Sequence, residues 1–147
     1  MAFSRTKVQS LLVSALAASG SSVIEFYFPR DARIVRYFAV PSVAEAAHAT
    51  QVLDCTFVNA GTGGAGSTTL AVLTNDSDLA DSTTRKSSAW VAHDAKEILT
   101  SARPVSAEAT NVFDEIAAGS VVKCTVAKAA STATGNVIVG IEYIDSD

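Results

Sequence analysis

The stretch Gly119–Ile144, GSVVKCTVAKAASTATGNVIVGIEYI, carries the plainest periodicity in the chain and decides its fold. Val122, Cys124 and Val126 alternate with Lys123 and Thr125. Further on, Val137, Val139, Ile141 and Tyr143 alternate with Ile138, Gly140, Glu142 and Ile144. Successive side chains of a strand point to opposite faces, so each run reads as a strand with one side in a core. The intervening AKAASTATGN is too long for a two-residue hairpin turn, and Gly119-Ser120 supplies the turn into the first run.

The same pattern recurs toward the N-terminus. Ile24, Phe26 and Phe28 alternate with Glu25 and Tyr27, and Pro29 stops that strand because proline cannot donate to a ladder. Ala32–Val40 is rich in β-formers. Gln51–Asn59 places Leu53, Cys55 and Phe57 inward and Asp54 and Thr56 outward, and Thr68–Thr74 is a short strand beyond the loop AGTGGAGS. Thr6–Ala18 fits either a helix or a strand, and strand, turn, strand is the economical reading. Thr110–Ile116 is a weak strand. Val43–Thr50 reads as a helical turn or two, or a long loop. Asp94–Ser101, DAKEILTS, reads as two helical turns capped by Asp94. Asn75–Ser88 is the most polar stretch and reads as surface loop.

About eight strands and at most one or two short helical turns give an all-β class: an antiparallel β-sandwich or jelly roll. The chain, residues 1–147, is expected to form a single domain, with residues 1–20 an N-terminal arm or a first strand. A domain of this length buries roughly 70% of its unfolded surface and needs no disulfide or metal to fold. Apolar residues make up 48% of the chain, aromatics only 7%, and mean hydropathy is +0.28. The apolar content is therefore mainly small and β-branched, which suits thin layers of strands.

The net charge of −4 and a pI near 5.1 argue against a nucleic-acid partner, which needs a basic footprint. No run reaches the ~18 apolar residues of a membrane span. Arg5 and Lys7 ahead of LLVSALAA imitate a signal peptide, but Gln9, Ser10 and Ser14 interrupt it, so an uncleaved chain made in the cytoplasm is expected. Cys55 and Cys124 lie on apolar strand faces and read as buried free thiols, with a bridge between the strands as the alternative.

Catalytic patterns are weak. Gly61, Gly63 and Gly66 match G-x-G-x-x-G, but strand follows where the dinucleotide motif needs a helix. Asn75-Asp76-Ser77-Asp78 with Asp81 lacks the glycine and distal glutamate of a calcium loop, so turn chemistry explains it. His48 and His93 have no nucleophile elbow to serve. Glu142 has no second acid at a readable spacing. No catalytic residue, cofactor or metal is expected. Arg30, Arg33 and Arg36, flanked by Tyr27, Tyr37 and Phe38, form the densest basic and aromatic cluster. They read as a solvated strand end or an intersubunit contact. Ile138 and Ile144 join them as candidates, because a last strand apolar on both sides needs a second cover.

Three segments together resemble the small jelly-roll or β-sandwich decoration (cement) proteins of tailed-bacteriophage heads. They are VIEFYFPRDARIVRYFAV, FVNAGTGGAGSTTLAVLTN and IAAGSVVKCTVAKAASTATGNVIVGIEYI. The resemblance implies a non-enzymatic binding role at the virion surface, the major capsid protein as partner, and self-association, often as trimers. Two alternatives stand beside it: another phage structural component, in the tail or connector, or a carbohydrate or cell-surface binding sandwich. The last would stack sugars on Trp90 and the tyrosines.

Overall fold

A computed structural model describes residues 6–100, 114–129 and 134–145. Ten strands occur among them: β1 (Lys7–Val13), β2 (Ser21–Phe28), β3 (Ala32–Pro41), β4 (Leu53–Gly61), β5 (Thr68–Thr74), β6 (Arg85–Ser87), β7 (Lys96–Leu99), β8 (Glu115–Ile116), β9 (Ser120–Lys128) and β10 (Val137–Asp145). They form two sheets. Sheet A runs β1-β10-β3-β7 with β8 beside the start of β3, and sheet B runs β2-β9-β4-β5-β6.

The antiparallel pairs β1–β10, β2–β9, β3–β7 and β4–β5 are nested in sequence. The chain therefore behaves as one long ribbon, folded at the β4–β5 hairpin and rolled so that successive pairs fall in opposite sheets. That is the order of a jelly roll, an architecture that packs two sheets over one core. β6 is the exception in direction, lying parallel to β5.

The core follows from the alternation. Val122, Cys124 and Val126 of β9 and Val139 and Ile141 of β10 are fully buried, as their spacing requires. Rings bridge the sheets: Tyr37 of β3 meets Phe57 of β4 at 5.0 Å, and Phe28 of β2 meets Tyr143 of β10 edge-on at 5.0 Å. Gly119 takes a left-handed φ of 82° to turn the chain into β9, a conformation that disfavours residues with a Cβ. Cys55 and Cys124 are free and buried in this core. A hydrogen bond to Cys124, reinforced by burial, pushes the Cys55 thiol well above its ordinary range.

Several expectations change. DAKEILTS is not helical over its described part: residues 96–99 form β7, with Lys96 and Ile98 turned inward. The stretch after Thr74 is not loop throughout, because β6 crosses it. Ten strands occur among the described residues, the additional ones being the short β6 and β7. Val43–Thr50 is a loop, bridged through Glu45 to Trp90 and through His48 to Asp76. Of Thr110–Ile116, residues 110–113 lie outside the described residues, and Glu115–Ile116 is β8.

Candidate interaction surface

The outward face of sheet A can be built from register alone, because directly opposed residues share a face. One row across the sheet is Leu12, Ile138 and Val40. The next is Ser10, Gly140, Phe38 and Glu97, and the third is Val8, Glu142, Arg36 and Leu99. A fourth is Ile144, Arg33 and Glu115. The face thus brings together four of the five predicted contact residues: Arg33, Arg36, Ile138 and Ile144. Arg30 is not among them; it lies outside the sheet, in the exposed turn between β2 and β3.

A bulge makes this grouping. Arg33 and Arg36 are three apart and would point to opposite faces of a regular strand. The β3–β10 register shifts between Glu142 and Tyr143, leaving Val35 as the extra residue. Ile34 and Tyr37 then both stay in the core, while Arg33 and Arg36 both turn outward.

At the centre of the face, the Arg36 Nε donates to Glu142 at 2.6 Å and its Nη1 to Glu97 at 2.7 Å. The guanidinium lies 4.4 Å over the Phe38 ring. The tip of the Phe38 ring in turn occupies the space that a Cβ at Gly140 would need. Burial works against the Arg36 charge, and the hydrogen bonds and fields of Glu97 and Glu142 outweigh it, so the guanidinium holds its proton more tightly than usual. Around this ion-paired centre stand uncovered apolar side chains: Leu12 (60% exposed), Val8 (55%), Ile138 (43%) and Leu99 (43%). The outward face of sheet B is more polar, with Thr56, Thr125, Asp54 and a Lys123–Glu25 pair at 3.8 Å between its valines.

Phe38 was recognised only as part of a cluster with Arg36, and Glu142 as an acid without a partner. Leu12, Val8, Leu99 and Glu97 escaped the sequence reading. The uninterrupted Leu11-Leu12-Val13 run was the available signal for the first of these.

A cleft of about 590 Å³ opens between β6 and β7, lined by Asp81, Lys86, Asp94 and Leu99 among others. Its buried members are Ile98 and Lys96, the latter the one with chemistry. The ammonium donates to the Thr74 carbonyl at 2.8 Å, to the Ser88 hydroxyl at 3.0 Å and to the Ser88 carbonyl, and lies 4.9 Å over the Trp90 ring. Burial, with the field of Lys86, lowers its pKa to about 8. Three acceptors for three protons make Lys96 a strut between the two sheets at this edge.

Other sequence candidates resolve into turn chemistry. Asp76 Oδ1 accepts from the Asp78 N–H and Asp81 Oδ1 from the Ser87 N–H. Among the described residues, no three His, Cys, Asp or Glu side chains converge as a metal site. His48 Nδ1 accepts from the Thr50 and Gln51 N–H groups at a bend, and His93 sits at a left-handed φ of 59°. No helix among the described residues is long and apolar enough to cross a membrane. Compared with known proteins, the chain matches no family and no curated sequence.

Proposed function

We propose that the chain is a structural assembly protein of a phage head, a decoration protein that binds the major capsid protein through the outward face of sheet A and stabilises the shell. The observation that carries this reading is the face itself: uncovered apolar side chains of β1, β10 and β7 around a locked Arg36–Glu97–Glu142 centre. An apolar patch on a sheet that already has a core behind it favours a second cover. Arg36 pairs with both Glu97 and Glu142, so docking onto a shell subunit strands no charge without a partner, although the centre keeps one negative charge in excess.

The jelly-roll order is compatible with this role, since viral capsid proteins use the architecture, but lectins use it too. The aromatic side chains weigh against the carbohydrate alternative. Trp90, Tyr37 and Tyr143 are buried, which leaves Tyr27 as the one exposed tyrosine. Sugar-stacking platforms need accessible rings. Many copies at repeated lattice sites reinforce a shell through avidity even where each contact is weak. In this reading the protein is made in the host cytoplasm, acts on the virion surface and needs no cofactor.

The test is cosedimentation of the purified chain with undecorated heads of the phage that encodes it. Saturable binding that Leu99→Glu weakens is the expected result. A chain left in the supernatant at micromolar concentration, or bound only to tails, overturns the head assignment.

A further inference from the structure

Among the described residues, sheet A ends in β1 on one side and in β7 and the two-residue β8 on the other, and sheet B ends in β2 and β6. An edge leaves a row of backbone N–H and C=O groups unpaired, and folded chains blunt it by shortness, charge or a capping group. Three of the four edges are blunted. β6 has three residues, two of them Arg85 and Lys86. Its Arg85 accepts from the Ser82 N–H at 2.9 Å, and its Ser87 N–H goes to Asp81 at 2.6 Å. β7 has four residues, including Lys96 and Glu97. β2 carries Glu25 at its centre, and its Tyr27 carbonyl accepts from Gln9 Nε2 at 2.9 Å.

β1 is different. It has seven residues, and Val8–Val13 contains no charge, proline or glycine. Among the described residues, no group outside β10 bonds to its backbone. Its outward side chains lack cover, and on the inward face Leu11 is exposed while only Val13 is buried in the core. A strand in this state is a template for another strand.

We propose that β1 pairs antiparallel with β1 of a second copy, about a two-fold axis at Ser10, so that the two A sheets become one. The sequence is self-complementary in that register. Val8 stands opposite the partner's Leu12 and Leu12 opposite the partner's Val8, all on the outward face. Ser10 meets its own counterpart at the axis, and Gln9 faces the partner's Leu11. Ile138, directly across from Leu12 in the same sheet, extends the apolar row into both copies. No like charges meet across the axis, because the strand's one charge, Lys7, lies at its end and is held by Asp145. The contact is isologous and closed, and it leaves no new edge between the copies. This inference does not rest on the capsid reading, because the edge is open whatever the face of sheet A docks onto.

Sedimentation velocity of the purified chain tests it without any phage component. The expected species at micromolar concentration is a dimer. Val8→Lys with Leu12→Lys should sediment as a monomer, and so should Val8→Glu with Leu12→Glu, because each double variant sets like charges opposite one another across the axis. Val8 and Leu12 are both exposed, so circular dichroism and thermal melts should match the wild type. An equimolar mixture of the two variants should restore the dimer. A monomeric wild type, a wild-type trimer, a lysine variant that stays dimeric, or a mixture that stays monomeric each overturns the proposal.

Discussion

At residue 140 the chain has no room for a side chain. A Cβ there would enter the van der Waals envelope of the Phe38 ring, whose tip occupies that space. The ring could swing away only by exposing itself and leaving the Arg36 guanidinium. Gly140→Ala is therefore expected to destabilise the fold by about 1–3 kcal/mol in urea melts, the range for overpacking or for exposing a phenylalanine. In a Phe38→Ala background the same substitution should cost almost nothing, because the two residues form one contact. Lys96 gives a second residue-scale expectation. Its pKa is about 8 in the fold against 10.5 for an ordinary lysine. Between those values the unfolded chain holds a proton that the native chain has released. Stability should therefore rise with pH across that window and be flat with respect to this group below it. Lys96→Met should remove that rise, which denaturant melts at a series of alkaline pH values would detect. A melt series with the same slope in both proteins would mean that the buried ammonium is not the titrating group.

At the scale of the element, legibility followed the number of core-facing side chains. β9 and β10 each turn four or more residues inward at strict alternation, so their faces were plain from sequence. β2 and β4 were plain for the same reason. β7 was misread because DAKEILTS satisfies a cap and a helical turn as well as a strand. Propensity is a weak prior, and the free side of β3 between Arg36 and Ala39 settles the matter by offering a ladder. β6, Arg-Lys-Ser, has no apolar residue to signal it, and it is a strand only because the backbone of β5 is beside it. The candidate surface was half legible. Ile138 and Ile144 could be placed opposite the core face by alternation alone. Arg33 and Arg36 were grouped by proximity in the chain, but their common face depends on the bulge at Val35. Nothing in ARIVRYFAV marks that bulge except that Ile34, Tyr37 and Ala39 cannot share a face without it. β1 was ambiguous because so few of its side chains reach a core.

At the scale of the whole molecule, the proposed docking face spans sheet A from β1 to β7 whereas the proposed pairing edge is β1 alone, so a change at β7 separates the two contributions. Leu99 on β7 lies three strand spacings, roughly 14 Å, from β1. Leu99→Glu should weaken each copy's grip on a head lattice and leave the dimer intact. Val8→Lys with Leu12→Lys should abolish the dimer. It should also lower apparent lattice affinity, because two linked faces bind a repeated surface far better than one. For a second contact held at millimolar effective concentration, the loss is expected to be about 10²-fold or more. Restoring the dimer by mixing the lysine and glutamate variants should recover most of that affinity, whereas the Leu99→Glu chain, dimeric already, should keep its avidity and bind less only because each face is weaker. Occupancy on heads against free concentration, measured for all four samples, distinguishes the cases. If the mixed dimer binds no better than its monomers, Val8 and Leu12 contribute to the docking face itself, and pairing through β1 has no part in binding the shell.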